Sequence, residues 1–483
     1  MSHKSQMSHT WHHLTFLTGM TSIKTNIYYR LKIFIHLKLT AMKWKDLKKP
    51  MLLSAAPISI LALMLTTNEG SVTKNAVPCN NPAASHVCVM KIAFGLDDDP
   101  PTLADLHVPL SAVDAAVKKG LEWMGKAQGN DGGWGAGSHY SQGVSDPHAV
   151  PSDPATTSLI CMALLRSDNS LEKGEYSSNL KKATEFLLKA VENCPDNQPY
   201  LTTLENTQPQ VKLGRNIDVI LTTQYLTNLL RNEQNNVDLK KRIEKALDKC
   251  IGRMQKGQDV DGGWKDGGWA PVLQSALANN ALESAEDLGR KVDTAVLNKS
   301  RQYQNGNFDL KTNSTLTGKS AGVMLYSLSS TTRASAKDAK KAKDLIEKAR
   351  KEGKIKDDKV TEENLRSAGA SSTEAKTLVT GYSINEASRK VALRDDVMNG
   401  FGSNGGEEFL SYLMTGESMV MQGGEDWKKW YDMITGKLVN VQGQDGSWNG
   451  HHCITSPVFC TGTCLMILSI QKDMQFSMQL HPK

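Results

Sequence analysis

At 483 residues and 39% hydrophobic, the chain is long enough to bury a large core, and its formal charge of +6 is small for that size. Much of the positive excess lies in the first fifty residues and in the Lys-rich stretch 337–359, so composition gives no case for nucleic acid as a partner.

In chain order, Lys43, Lys45, Lys48 and Lys49 precede the apolar run 51–65, a basic region and a core too short to span a bilayer comfortably. This is a signal-peptide pattern that starts too late after Met1 but correctly after Met42. Residues 1–41 therefore read as an upstream extension, 42–70 as a signal peptide or uncleaved anchor, and 71–103 as a linker. The competing reading of 51–65 is a buried or interfacial segment. The expected location is export, periplasmic or secreted, with membrane contact only through this N-terminal segment. Cys79 and Cys88, in a Pro- and Asn-rich stretch, are spaced to close a short disulfide loop.

Residues 104–472 carry helical patterning, with room for roughly twelve helices of ordinary length, and 473–483 reads as a tail. Val113, Ala116, Val117, Leu121 and Met124 recur at helical spacing before a stop at Asn130-Asp-Gly-Gly133. Asp153-Pro154 then opens an apolar helix, Asp153 as the cap and Pro154 in the first turn. Apolar helices are expected over Ile217–Leu230 and Glu407–Met421, and Ile243–Met254 reads as amphipathic. Pro271 opens a helix of small residues, and Ser320–Ser329 forms another. Lys337–Glu352 reads as a solvated outer helix or an insertion. Trp427–Val441 is amphipathic, and Ser456-Pro457 opens an apolar helix through Leu468.

A Gln followed within a few residues by Gly and Trp ends three of the amphipathic stretches: Gln128-Gly-Asn-Asp-Gly-Gly-Trp134, Gln258-Asp-Val-Asp-Gly-Gly-Trp264 and Gln444-Asp-Gly-Ser-Trp448. A weaker relative is Gln302-Tyr-Gln-Asn-Gly-Asn-Phe308. Internal repetition marks one supersecondary unit used several times, here a helical hairpin. An amphipathic helix alternating with an apolar one is what a barrel of outer and inner helices requires.

Lys119 through Trp134, with its echoes at Trp264 and Trp448, resembles the QW repeat of the prenyltransferase and squalene-oxidase-repeat proteins. That superfamily includes terpene cyclases, protein prenyltransferase beta subunits and the thioester domains of complement-type proteins. Asp146-Pro-His-Ala-Val-Pro-Ser-Asp-Pro-Ala-Thr-Thr157, His452-Cys-Ile-Thr455 and Phe459-Cys-Thr461 are similar to segments of exported bacterial members. The resemblance implies an all-α chain folded as an α/α toroid of roughly six hairpins. It implies little about chemistry, because one architecture hosts unrelated reactions.

Each activity within that superfamily is tied to a particular short string. Cyclases that protonate an alkene or epoxide use an Asp-x-Asp-Asp or Asp-Cys-Thr-Ala-Glu acid and two toroids. The acidic runs Asp97-Asp98-Asp99 and Asp395-Asp396 have the wrong spacing. Prenyltransferases hold zinc with an Asp-x-Cys pair and a distant His; the one such string here, Asp248-Lys-Cys250, lies within the amphipathic stretch Ile243–Met254. Gly405-Gly406-Glu407-Glu408 lacks the thiol of a thioester domain.

The candidate site residues are those at or near the starts of the apolar helices. Asp146, His148 and Asp218 are the candidates for acid–base work, with His148, between two prolines, the least explained by structure alone. Trp269, His452 and Asp153 are the candidates for ligand contact. Asp153 also reads as a helix cap and Trp269 as a turn plug. His451, His452, Cys453, Cys460 and Cys464 bring soft-metal ligands into one short segment. His452, Cys453 and Cys460 could hold Zn²⁺, although the spacing is not a standard zinc pattern; a Cys453–Cys460 disulfide and inert thiols are the alternatives. Two functions follow as expectations. The first is an exported toroid that binds an apolar small molecule or a polymer in its cavity. The second is an isoprenoid-active or glycan-active enzyme. An aromatic content of 6% is low for a cavity that stabilises cations.

Overall fold

The computed structural model describes residues 109–232, 236–400, 405–422, 425–451 and 453–470. The N-terminal extension, the signal or anchor segment, Cys79, Cys88, His452 and the tail lie outside the described residues. The described chain is all-α apart from a two-residue hairpin, Phe308–Asp309 with Ser314–Thr315. It has fifteen α-helices where about twelve were expected: α1 Leu110–Lys126, α2 Pro154–Arg166, α3 Ser177–Asn193, α4 Gln208–Leu213, α5 Ile217–Asn232, α6 Val237–Lys256, α7 Pro271–Asp287, α8 Thr294–Asn305, α9 Met324–Lys351, α10 Glu362–Ser367, α11 Ser372–Ala392, α12 Asp395–Met398, α13 Gly406–Gln422, α14 Glu425–Asn440 and α15 Pro457–Leu468. Among the described residues no helix is long and apolar enough to cross a membrane.

Two kinds of helix alternate. In α1 only Val113, Ala116, Gly120, Leu121 and Met124 are buried, one stripe of an amphipathic helix. In α2 every residue from Pro154 to Leu164 is buried, and in α15 every residue is. Helices buried on all faces must pack on helices: α2 lies against α5, α5 against α7, α7 against α9, α9 against α13, α13 against α15, and α15 against α2 again. Amphipathic α3, α6, α8, α14 and α1 flank α2, α5, α7, α13 and α15 in that order.

The six apolar helices contain many buried hydroxyls, several of which are satisfied within their own helix while others, such as Ser158 with Thr222 and Ser418 with Thr332 O, bond between helices. Thr223, Thr227, Ser411, Thr415 and Thr463 each donate to the carbonyl four residues back at 2.7–2.9 Å, so these small side chains pack closely with their hydroxyls partnered, whereas Ser330 of α9 and Asn279 and Asn280 of α7 are buried with unpartnered polar atoms. Close approach is seen at Gly462 of α15, where a Cβ would lie 2.3 Å from Ile160 of α2, and at Gly416 of α13, where it would lie 2.3 Å from Trp430 of α14. Near the C-terminal ends of α2 and α13, Glu417 of α13 takes Arg166 of α2 at 2.8 Å and Arg333, in the first half of α9, at 3.1 Å. Burial would raise the Glu417 carboxyl, and the two guanidiniums more than offset it, holding the group below the usual carboxylate range.

The Gln–Trp turns fasten the flanking helices. Gln128 Nε2 donates to Gly132 O at 2.7 Å and to Asn179 O of α3 at 2.9 Å. Gln258 does the same with Gly262 and Val296 of α8, and Gln442 with Gly446 and Ala116 of α1. Each Trp is fully buried, and its indole N–H donates to the carbonyl ten residues earlier, Met124, Met254 and Leu438 respectively. Each such indole removes roughly 200 Å² from water, worth about 5 kcal/mol before ordering entropy. In the third turn the bridging residue is Gln442; Gln444, read from the sequence as the start of the motif, is exposed. The weak relative does not share the geometry. Gln302 is exposed, and its segment runs into the β-hairpin.

The segments Ser320–Ser329 and Lys337–Glu352, read as separate, are largely one 28-residue helix, α9. Its first half packs among the apolar helices. Its second half turns Ala342, Ile346 and Ala349 toward Leu365 of α10 and Ala375 and Leu378 of α11, a small core of its own.

The left-handed glycine of each turn is a sharp constraint. Gly446 has φ of 94°, and a Cβ there would lie 2.5 Å from Lys119 O of α1. Gly446→Ala is expected to lower stability by about 3 kcal/mol in urea unfolding, and Gln442→Ala by about 2 kcal/mol. An alanine tolerated at 446 with no loss would show that α1 is not held through this turn.

Candidate functional site

The connections that lead from an amphipathic helix into an apolar one meet around the short helix α4. Thr207 and Gln210 form a reciprocal capping box that starts it. Gln208 Oε1 accepts from Thr455 N at 2.7 Å, Ser456 N at 3.0 Å and Thr455 Oγ1 at 3.3 Å, which ties α4 to the start of α15. Gln208 N donates to Gly137 O, and the carbonyls of Val211 and Lys212 accept from Trp269 N and Ala270 N. Gln210 Nε2 donates to Asp218 Oδ2 at 2.8 Å. One six-residue helix thus fastens the approaches to α2, α5, α7 and α15.

Beside α4 lies a group of titratable side chains. Lys212 is buried, and its ammonium sits 4.8 Å from the Trp269 ring and faces Glu407 and Cys453. Glu407 Oε2 accepts from Ile454 N at 3.2 Å, and Tyr326 O–H donates to Glu408 Oε1 at 2.7 Å. Burial pushes the Glu407 carboxyl up to about 7, against the opposing pull of its backbone partners and Lys212. Cys453 sits at a left-handed φ of 69°. Burial and the neighbouring Glu407 push its thiol up to about 12, so it stays protonated at neutral pH. Gln142 Nε2 donates to Cys453 O and to His139 Nδ1, both at 2.7 Å, and burial and Lys212 hold the His139 imidazole below its usual range.

Asp153 and Asp218 are brought together, but as caps. Asp153 accepts from Thr156 N at 2.7 Å, Thr156 Oγ1 at 2.9 Å and Ala136 N at 2.9 Å; Asp218, on α5, accepts from Ala155 N of α2 at 3.0 Å. Burial raises both carboxyls, Asp218 to about 7 with Asp153 adding repulsion. Asp146 and His148 are exposed on a 3₁₀ turn, where Asp146 Oδ1 accepts from His148 N at 2.9 Å; the acid–base set Asp146, His148 and Asp218 does not assemble. Cys453, Cys460 and Cys464 are free thiols rather than a bridge. Among the described residues no three His, Cys, Asp or Glu converge as metal ligands, and His452 lies outside them. Glu407, Glu408, Tyr326, Gln208 and Lys212 escaped the sequence reading. The adjacent carboxylates at the start of an apolar helix were the available signal.

Exposed hydrophobics favour the same end of the helices. Nine large ones are exposed among the described residues, and all but Leu110 and Val237 lie in connections leading into α2, α7 and α9 or on the first residue of α9. Trp269, Tyr140 and Val260 are 55, 77 and 98% exposed.

Asp218 and Glu407 bind their protons more tightly in the folded chain than in an open one. Between about pH 4 and about pH 7 the folded state holds the extra protons, so stability falls as pH rises through that window. His139, held low, works in the opposite sense near its own ordinary range. Urea titrations across the window are expected to show a loss on the order of 2–3 kcal/mol for each carboxyl and a shallower slope in Glu407→Gln. An unchanged slope in that variant would contradict the burial of an ionisable group at 407.

No family model, curated protein or solved structure matches the chain.

Proposed function

We propose that the chain is an exported α/α toroid of the prenyltransferase and squalene-oxidase-repeat type that binds an apolar ligand at the end where α4 lies. The toroid reading is supported by the order of neighbours, which returns from α15 to α2, and by the third Gln–Trp turn, which reaches back to α1. The observation that carries the ligand reading is the concentration of exposed hydrophobics at that end. Trp269, backed by the Lys212 ammonium, offers a braced aromatic face. A binding role is favoured over hydrolysis because Asp153 and Asp218 spend their oxygens on backbone and side-chain donors, and because the Cys453 thiol is protonated.

A second reading, an isoprenoid-active enzyme, rests on Glu407, a buried carboxyl half-protonated near neutrality and therefore able to give or take a proton. The two readings separate in one titration with geranylgeraniol as the apolar probe, followed by calorimetry and by analysis of the recovered probe. Binding is expected to saturate, to weaken about tenfold in Trp269→Ala, or about 1.4 kcal/mol, and to return the probe unchanged. A chemically altered probe, abolished in Glu407→Gln, would replace the binding reading with the enzymatic one. Heat evolution that never saturates would remove both.

A further inference from the structure

Lys212 carries an amine that the fold does not use. Its backbone is fixed, because Ala270 N donates to Lys212 O at 2.9 Å. Its side chain is buried, yet among the described residues the ammonium forms no ion pair, and the group it rests on is the Trp269 ring at 4.8 Å. Buried lysines are ordinarily paired. We infer that Lys212 binds an apolar aldehyde covalently, as an iminium; this rests on the proposal that the α4 end takes an apolar ligand.

Two observations set the chemistry of that ligand. The first is what surrounds the ammonium. Glu407, Cys453 and His139 face it, and both Glu407 and its neighbour Glu408 are buried. A ligand headed by a carboxylate would bring a further negative charge against two buried acids, whereas a neutral carbonyl would not. The second is the rim. Gln142 Nε2 donates to Cys453 O at 2.7 Å and Gln142 O accepts from Thr455 Oγ1 at 2.8 Å, so the connection that holds Tyr140 and Val144 borders the same group. With Trp269, these are three exposed hydrophobics around one buried amine. Such a site fits an apolar chain with a single carbonyl head.

Condensation conserves charge. The lysine nitrogen forms a bond to the carbonyl carbon, the carbon–oxygen double bond breaks, and the oxygen leaves as water with two of the three ammonium protons. An ammonium thus becomes an iminium with no net proton release. The positive charge stays where the Trp269 face and the Glu407 carboxyl already favour it.

The test uses the full chain with dodecanal, reduced by cyanoborohydride, digested and mapped by mass spectrometry. Lys212 is expected to carry the dodecyl group at about tenfold or higher occupancy than any exposed lysine, and excess geranylgeraniol is expected to suppress that label. Lys212→Arg, checked for folding by circular dichroism, is expected to remove the label from this segment, and Glu407→Gln to lower it about tenfold. The label map of the parent chain decides the matter if either variant misfolds. Label spread over the lysines in proportion to their exposure would overturn the inference, and would leave the binding proposal standing if geranylgeraniol still binds saturably. No label at Lys212 together with no geranylgeraniol binding would remove both. Dodecanoate that protects Lys212 at lower concentration than geranylgeraniol does would also overturn it, by assigning the ammonium to a carboxylate ligand.

Discussion

The structure depends on a side-chain amide that joins two carbonyls belonging to different helices. In each Gln–Trp turn the Gln amide satisfies the turn's own Gly carbonyl and a carbonyl in the first turns of the next amphipathic helix, Asn179, Val296 or Ala116. The turn is sharp enough to bring them together only because Gly132, Gly262 and Gly446 adopt φ of 91–94°. Each glycine also sits under a lysine carbonyl of that next helix, Lys182, Lys299 or Lys119, with no room for a Cβ. A single geometry therefore stops one helix, positions a buried Trp and docks a second helix. Its third use spans 326 residues, from Gln442 to Ala116, and pins the last amphipathic helix to the first.

That long-range closure explains why the apolar helices can be so rich in hydroxyls. A core of large aliphatic side chains would hold α2, α5, α13 and α15 by burial alone. Here many interior positions are Ser, Thr, Gly and Ala, which gain less by leaving water but let helix backbones approach. The approach is tolerable because several of the hydroxyls return to their own helix. The Arg166–Glu417–Arg333 group adds orientation near the C-terminal ends of α2 and α13, where guanidiniums from α2 and from the first half of α9 share one carboxylate of α13. A buried ion group of this kind is weak evidence for stability. Its contribution is to tie together three helices whose small side chains alone would specify their relative rotation poorly.

The repeated turns were legible because they combine Gly, Asp and Trp at fixed spacing, and so were the proline-led apolar helices at Asp153-Pro154 and Ser456-Pro457. The register of the third turn was not. A second Gln stands at 444, where the first two turns have Asn130 and Val260, so Gln444-Asp-Gly-Ser-Trp448 looks like the motif while Gln442 carries the bond. Helix α9 was divided because its composition changes at Lys337; the change marks a move from one core to another on a continuous helix about 42 Å long. Helix α4 is shorter than any periodicity window, and only its Thr207…Gln210 box announced it. The site carried still less signal. Asp153 and Asp218 have the residue types of catalysis and the geometry of caps, a distinction that depends on donors supplied by Ala136, Ala155 and Gln210 from three other segments.

The same dependence separates the two groups of buried acid. Asp153 and Asp218 are surrounded by N–H groups of the helix starts they hold, so any substrate would have to displace structural bonds to reach them. Glu407 and Glu408 lie where α4, α9, α13 and the approach to α15 meet, with Tyr326, Lys212 and Ile454 as neighbours and the Trp269 ring near Lys212. Movement of α4 would change the surroundings of Glu407 through Lys212 and of the α15 approach through Gln208, while leaving the Gln–Trp turns intact. The Gln–Trp turns thus fasten amphipathic helices to one another while α4 fastens the approaches to the apolar ones, and a ligand that engages Trp269 would act on the second set of bonds without loading the first.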